Sequence, residues 1–318
     1  MSLAALVLTA GLGTRLRPLT YRRAKAAAPV NGEPLARRVV RWLVARGYHD
    51  LVLNLHHHPA SIARIIGDGS DLDARVRYSW EQPVLGSAGG PRRALPLLTG
   101  GGRERFLLVN GDTLTDVDLP GVLSTHGRSG ARVTMALIPN PRPDTYGGVL
   151  VSDDGYVEGF TRRGRGGESF HFIGVQIAEK DVFGGLEDGT PAESVNWLYP
   201  ALIARDRRAV GACVSDAVFR DIGTPADCLA TSLELAGIEG SHLVSDGSRV
   251  HPTARIERTA LWDDVVVQKE AELVECLVAD GAVIPAGARY HRCAIVAAGD
   301  RAPEPGERRE GTLLVKPL

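Results

Sequence analysis

The sequence predicts an α/β protein in two parts. An open, Rossmann-like, mostly parallel sheet is expected over residues 1–237, and a short left-handed parallel β-helix over residues 245–318. Three observations predict this. Short apolar runs alternate with stretches of helical spacing as far as Ala236, the pattern of an open α/β sheet. Glycine-bearing turns follow some of these runs, and such sheets bind ligands where their strands end. From Val250 to Val296, small or aliphatic residues recur every six positions with proline and glycine between them, as a coil of three short strands requires.

The composition agrees with this division. The chain has 318 residues, enough for one large or two moderate domains, and 44% apolar residues support a packed core. A net charge of −1 provides no basic field for nucleic acid. No apolar run is long enough to cross a bilayer. The N-terminus lacks a basic start and enters a strand directly, so no signal peptide is expected. Cys213, Cys228, Cys276 and Cys293 show no Cys-x-x-Cys pairing, which points to inert thiols in a reducing, cytoplasmic setting.

Residues 4–9 read as a buried parallel strand. Gly11 and Gly13 follow, and they let the main chain approach a ligand closely. The N–H groups of such a turn form an anion-binding concavity, and Arg15, Arg17 and Lys25 add charge beside it. The dinucleotide fingerprint would need a third glycine where Leu16 stands, and no Gly-Lys-Ser/Thr follows Gly11 as a P-loop requires. Residues 29–34 read as a turn. Leu35, Val39, Val40, Leu43 and Val44 recur at helical spacing, with Gly47 as a stop. Residues 51–55 predict a strand, 59–66 a short helix and 76–79 another strand. His56-His57-His58 resembles a metal site, but neighbours in an extended loop rarely converge on one ion.

Residues 80–90 predict a glycine turn leading into a helix over 91–98. Residues 100–105 read as a surface loop. Residues 106–112 form an apolar run ending in Asp112, where a carboxylate can hold a hard cation such as Mg²⁺ or cap a turn. Asp116 and Asp118 read as turn and cap residues. A helix over 119–128 and a strand over 131–138 follow. Tyr146-Gly147 opens a hairpin that turns at Asp153-Asp154-Gly155. Residues 159–167 form a basic, glycine-rich loop. Strands are expected over 169–177 and 210–215, and a helix over 197–205. In Asp221-Ile222-Gly223-Thr224-Pro225, Thr224 can cap a helix that Pro225 starts and Gly237 ends. The six-residue series runs Ala254, Ala260, Val266, Val278, Ile284, Tyr290 and Val296, broken at Glu272. His251 and His291 lie on this segment without a supporting motif. Residues 299–310 read as a polar loop and 312–315 as a closing strand.

The run Gly11-Leu12-Gly13-Thr14-Arg15-Leu16-Arg17-Pro18-Leu19-Thr20, with Lys25 after it, resembles the signature of the sugar-1-phosphate nucleotidylyltransferases. Glu81-Gln82-Pro83-Val84-Leu85-Gly86-Ser87-Ala88-Gly89, Asn110-Gly111-Asp112 and Asp221-Ile222-Gly223-Thr224-Pro225 are similar to three further family segments. The resemblance covers residues 4–237. It implies that a sugar 1-phosphate attacks the α-phosphorus of a nucleoside triphosphate and pyrophosphate leaves. It further implies that Ala10, Gly11, Gly13, Thr14, Glu81, Gly86, Ser87, Ala88 and Gly89 bind the nucleotide. Arg15 and Lys25 would stabilise charge on the phosphates, Asp112 and Asp221 would hold Mg²⁺, and Gly147 would face the sugar.

The chain departs from the family pattern in two places. Ala24-Lys25-Ala26 replaces a Pro-Lys-Pro segment, and the usual Glu-Lys-Pro is absent. Arg162 or Arg163 is the candidate replacement for the missing sugar-phosphate lysine, because arginine pairs well with phosphate. The segment around Ser87 looks most like that of mannose-1-phosphate guanylyltransferases, which implies GTP and mannose 1-phosphate, with UTP, CTP or dTTP enzymes as the alternative. Many members of the family carry such a C-terminal tail, and the resemblance implies that it serves oligomerisation or regulation, with a homo-oligomer expected. The same departures leave open a silent, nucleotide-sugar-binding regulatory paralogue.

Overall fold

The computed structural model describes residues 3–164 and 167–318, so Arg165 and Gly166 of the basic loop lie outside the described residues. The chain divides into two compact units. The first comprises residues up to Gly11, Arg38–Pro59 and Ile66–Arg220; the second comprises Leu12–Arg37, Ala60–Ile65 and Asp221–Leu318. Residues 12–37, the segment rich in glycine and arginine, thus belong to the same unit as the C-terminal region.

The first unit is built on nine strands: β1 (Ala5–Leu8), β2 (Asp50–Leu55), β3 (Arg75–Trp80), β4 (Arg105–Asn110), β5 (Val133–Pro139), β6 (Gly148–Val151), β7 (Val157–Thr161), β8 (Phe170–Glu179) and β9 (Val210–Val214). Their order is β7-β6-β8-β4-β1-β2-β3, with β5 pairing both β8 and β9. The block β4-β1-β2-β3 is parallel, with Leu6 opposite both Val52 and Leu108. Parallel neighbours need a crossover, and a helix lies between each consecutive pair of these strands. The sheet as a whole is mixed, because β8 runs antiparallel to β4, β5 and β6. β8 follows the β6–β7 hairpin through a loop rather than a crossover helix.

β1 has Ala5, Leu6 and Val7 wholly buried, as a central strand covered on both faces requires. Leu6, Val52, Phe106, Leu108, Met135 and Tyr199 share one core. Each such side chain contributes about 1.5–3 kcal/mol on burial. The Tyr199 hydroxyl donates to Gln176 Oε1 at 2.8 Å, which satisfies two buried polar groups together. The short strand Phe219–Asp221, on which the first unit ends, pairs with Thr113–Thr115.

Two helix limits differ from expectation. The helix expected from residue 91 begins at Gly86 and runs to Leu98. Its glycine-rich start is helix rather than turn because Glu81 Oε2 accepts the Leu85 N–H at 2.8 Å, fixing the chain where the helix starts. The helix expected to stop at Gly237 is Pro225–Glu239, opened by a reciprocal Thr224–Asp227 capping box. Its stop is Gly240, whose φ is 91°.

In the second unit, the C-terminal segment forms three parallel ladders. Arg249–Val250, Val266–Val267 and Val283–Ile284 make the first, and Arg255–Glu257, Glu272–Val274 and Arg289–His291 the second. Ala260–Leu261, Leu277–Val278 and Cys293–Ala297 make the third. Ladder partners such as Arg255 and Glu272 are 17 residues apart, one fewer than three steps of six. This corrects the expected strict period and explains Glu272. Of the expected series Ala260, Val278, Ile284, Tyr290 and Val296 are buried, and Leu273, wholly buried, stands next to Glu272 where the series breaks.

Corners stack at the same spacing. Arg258, Glu275 and Arg292 all take positive φ, and Gly281 and Gly287 supply that conformation beneath Asp264 and Glu270. The strand Leu313–Pro317 closes the end antiparallel to Cys293–Ala297. All four cysteines are free thiols, and burial pushes Cys228 up to about 12 and Cys276 up to about 11.

Candidate functional site

In the first unit the chain leaves β1 towards β2 and β3, then returns to β4 on the other side of β1. Such a switch point opens a crevice beyond the strand ends. A cleft of about 220 Å³ lies there, lined by Leu8, Ala10, Gly11, Asn54, Glu81, Val84, Gly86, Ser87, Asn110 and Asp112. It thus gathers residues from the first, second and third motifs. A side chain at Gly11 would meet nothing within 4 Å, so the backbone faces open space, as a ligand approaching closely needs. Asp112 follows β4 directly at the cleft.

The residue that organises this cleft, Asn54, carried no motif signal. Its Oδ1 accepts the N–H groups of Thr9 at 2.6 Å and Ala10 at 3.3 Å, and its carbonyl accepts the Thr9 hydroxyl. Its Nδ2 donates to Glu81 Oε1 at 2.7 Å. Glu81 was expected to contact the nucleotide. It borders the cleft but is 1% exposed, and both of its oxygens accept bonds from the protein, one from Asn54 and one from Leu85. Its geometry is that of a buried brace. A side chain at Gly90 would lie 2.6 Å from Glu81 Oε1, so glycine is required there. A polar residue inside an apolar strand was the available signal for Asn54.

The second motif divides in the same way. Gly86 and Ser87 line the cleft, whereas Ala88 and Gly89 are buried beneath residues 190–194. Their N–H groups both donate to Ala192 O, at 2.9 and 3.2 Å. A side chain at Gly89 would lie 2.6 Å from Thr190 O. The Ser87 hydroxyl donates to Glu193 Oε2 at 2.6 Å and accepts the Ser194 N–H at 2.9 Å. Glu193 belongs to no motif and was not anticipated.

The remaining signature residues lie in the second unit. Gly13 has φ 62°, and a side chain there would fall 2.8 Å from Thr20 Cγ2 and 3.0 Å from Lys25 Cβ. Glycine therefore allows the turn to close over Lys25, which is 9% exposed. Thr14 and Arg15 are exposed on a short 3-10 turn, Thr14–Leu16. The prolines absent around Lys25 have a structural substitute. The Ala24 N–H donates to Ser61 Oγ at 3.0 Å, a bond no proline could make, and Lys25–Ala27 forms a 3-10 turn.

Asp221 has a side chain only 14% exposed, with Arg15 Nη1 at 3.9 Å from Oδ2. A side chain at Gly223 would lie 2.8 Å from Arg15 Nη1 and 3.0 Å from Asp221 Oδ2, so this glycine is what lets the two charges meet.

On the hairpin side of the first unit, Gly147 is exposed between Tyr146 and Gly148, and Arg162 and Arg163 are exposed on the loop after β7. Tyr146 packs on His171 with ring centroids 4.3 Å apart, and Phe219 packs on His171 at 4.7 Å. Burial drives the His171 pKa down to about 4, against an opposing hydrogen bond with the Gly147 backbone and with help from Arg142. His56 Nδ1 is 3.0 Å from Glu81 O, so the first of the three histidines is engaged with backbone. His251 bonds Thr253 of its own turn at 2.9 Å. Among the described residues, no group of three His, Cys, Asp or Glu could hold a metal ion, and no helix is long and apolar enough to cross a membrane.

Comparison with known proteins shows the family. Residues 4–237 match the nucleotidyl transferase family model. The chain is 29% identical over 303 residues to the mannose-1-phosphate guanylyltransferase of Mycobacterium tuberculosis, covering 92% of this chain and 82% of that one. It is 32% identical over 228 residues to the N-acetylmuramate alpha-1-phosphate uridylyltransferase of Neisseria meningitidis, covering 69% and 93%. Its fold resembles that of HddC from Yersinia pseudotuberculosis, solved in complex with GMP-PN. The TM-score is 0.64 at 20% identity, over 74% of this chain and 100% of that one. With a family match over most of its length, the chain belongs to the nucleotidyl transferase family and is a sugar-1-phosphate nucleotidylyltransferase.

Proposed function

We propose that the protein joins GTP to mannose 1-phosphate. A phosphate oxygen of the sugar phosphate attacks the α-phosphorus of GTP, the bond to the β-phosphate breaks, and pyrophosphate leaves with that electron pair. The attacking phosphate is already ionised, so no general base is required. Catalysis is then positioning and neutralisation of charge. The observation that carries this reading is Asp112 at the switch-point cleft, beside the open backbone of Gly11 and the hydroxyl of Ser87.

In this reading the backbone from Ala10 to Thr14 cradles phosphate, and Gly86 and Ser87 border the nucleoside. Arg15 stabilises the departing pyrophosphate. Lys25, steadied by the 3-10 turn it begins, neutralises charge on the α-phosphate. Gly147 faces the sugar, and Arg162 or Arg163 meets its phosphate. Asp112 and Asp221 are the candidate metal ligands. Mg²⁺ is the proposed ion because it binds through one or two carboxylates and keeps phosphate and water ligands. When bound, the ion supplies neutralisation of the phosphate charge.

The guanylyl assignment has two supports. One is the Leu85-Gly86-Ser87-Ala88-Gly89 sequence. The other is that similarity to the guanylyltransferase extends over 92% of the chain, into its C-terminal ladders, whereas similarity to the uridylyltransferase covers 69%. The higher identity of the latter favours UTP as the second reading. We read the ladders as a short left-handed β-helix. Pyrophosphate release with Mg²⁺, measured across four nucleoside triphosphates and a panel of sugar 1-phosphates, tests the assignment. Release with GTP and mannose 1-phosphate is expected, and a clear preference for UTP would overturn the guanylyl reading. Nucleotide-sugar binding without any release would mark a regulatory paralogue.

A further inference from the structure

The loop that carries Gly13, Arg15 and Lys25 has little regular structure of its own. It runs through three 3-10 turns, Thr14–Leu16, Leu19–Tyr21 and Lys25–Ala27, whose backbone bonds are local. Such turns do not fix a loop in space, so its placement depends on side-chain anchors. Besides the Ala24–Ser61 bond, anchors lie on the C-terminal ladders and the closing segment of the same unit.

Arg23 is the principal anchor. Its side chain is 11% exposed. Nε donates to Asp280 Oδ2 at 2.7 Å, Nη2 pairs with Asp280 Oδ1, and Nη2 also donates to Asp263 Oδ2 at 2.9 Å. The guanidinium lies over the Trp262 ring, 5.2 Å from its centroid. Nη1 turns back to Ala27 O at 3.3 Å, so one side chain spans the turn that begins at Lys25. The acceptors are themselves held: Asp280 Oδ1 accepts the Asp263 N–H at 3.2 Å, and Ser245 Oγ donates to Asp263 Oδ1 at 2.9 Å.

A second anchor holds the other end of the loop. Arg17 Nη1 donates to both oxygens of Glu304 at 2.8 Å, the Tyr21 hydroxyl donates to Glu307 at 3.0 Å, and Lys316 Nζ donates to Arg17 O at 3.2 Å. Arg301 lies over the Tyr21 ring at 4.5 Å. Each proposed catalytic cation thus has a near neighbour in sequence tied to the C-terminal segment: Arg17 for Arg15, and Arg23 for Lys25. Glu304 and Glu307 bond each other's turn, Glu304 N to Glu307 Oε2 at 3.0 Å, which presents both acceptors together.

We propose that the C-terminal segment positions the catalytic loop for turnover, with Arg23 as the positioning residue that Asp280 and Asp263 hold. This rests on the roles read above for Arg15 and Lys25. A bidentate pair with its arginine side chain only 11% exposed has a restricted geometry, and a displaced reacting group loses rate more than binding.

The test uses the full-length protein and measures kcat, both KM values and the melting temperature for Arg23→Ala, Asp280→Ala, the double variant and Arg23→Lys. Arg15→Ala serves as the reference. Loss of kcat by about 10- to 100-fold with KM little changed is expected for each single variant. The double variant is expected to be no worse than either single one, because both remove the same link. Arg23→Lys should recover part of kcat. If Arg23→Ala lowers only the melting temperature and keeps kcat within twofold, the link is structural and the proposal fails. If Arg15→Ala is harmless, the reading of the loop itself fails, a separate result. Should Arg23→Ala not fold, the exposed pair Arg17→Ala and Glu304→Ala decides by the same split between kcat and KM.

Discussion

Asn54 donates its side-chain amide to Glu81, Nδ2 to Oε1 at 2.7 Å, with both residues buried at the mouth of the cleft. Through the other end of the same amide, Asn54 holds the N–H groups of Thr9 and Ala10. One side chain therefore couples the exit of β1 to the start of the Gly86–Leu98 helix, since Glu81 in turn holds Leu85. Asn54→Ala would leave a buried carboxylate oxygen and a buried N–H unsatisfied. Destabilisation of about 3 kcal/mol is expected in urea unfolding. A change below about 0.5 kcal/mol, within the range of ordinary surface substitutions, would show that the brace is dispensable.

Asp112 and Asp221 are the metal ligands in the proposed reaction. Asp112 borders the cleft, and Asp221 has Arg15 at the long separation of 3.9 Å. Asp112→Asn and Asp221→Asn keep size and lose charge. Each is expected to remove turnover by at least about 100-fold, with circular dichroism and melting temperature unchanged. Near-normal rates in both variants would sink the metal assignment.

His171 makes stability depend on pH. Its pKa lies at about 4 in the fold because burial disfavours the cation, whereas an unfolded histidine titrates near 6.5. Between these values the unfolded chain takes up a proton that the folded chain refuses. The stabilising contribution is therefore full above pH 6.5 and is lost progressively as pH falls towards about 4. His126 acts in the same direction, its pKa lowered by burial despite Glu179. The melting temperature should fall between pH 7 and pH 4.5, and His171→Phe should shallow that fall. Parallel pH profiles for the two proteins would refute the assignment.

Much of the site was legible because it lies in short, contiguous patterns. Asp112 ends an apolar run, and a strand-terminal carboxylate is visible without any tertiary information. Gly13 announced a close approach, and Thr224 and Pro225 announced a helix start. Other features stayed hidden because their meaning depends on a partner distant in sequence. Glu81 read as a nucleotide-binding residue, and only the fold shows that Asn54 and Leu85 bond its oxygens. Ala88 and Gly89 read as part of a nucleotide turn, and they are small because residues 190–194 pack on them. Glu272 looked like a defect in a six-residue repeat, whereas partners in the ladders are spaced by 17 residues rather than 18.

Local pattern thus determined the alternation of strand and helix, the glycine turns and the identity of the charged groups, since backbone sterics and the burial of apolar faces act over a few residues. It also signalled a run of short strands in the C-terminal segment, which pair there in parallel ladders. Tertiary structure alone decided how these parts are shared out. It joined residues 12–37 to the C-terminal segment and buried Arg23 between Asp263 and Asp280. The physical reason is that a buried charge must find its counter-charge wherever the folded chain brings one near. No spacing in the sequence records that Arg23 and Asp280, 257 residues apart, are neighbours.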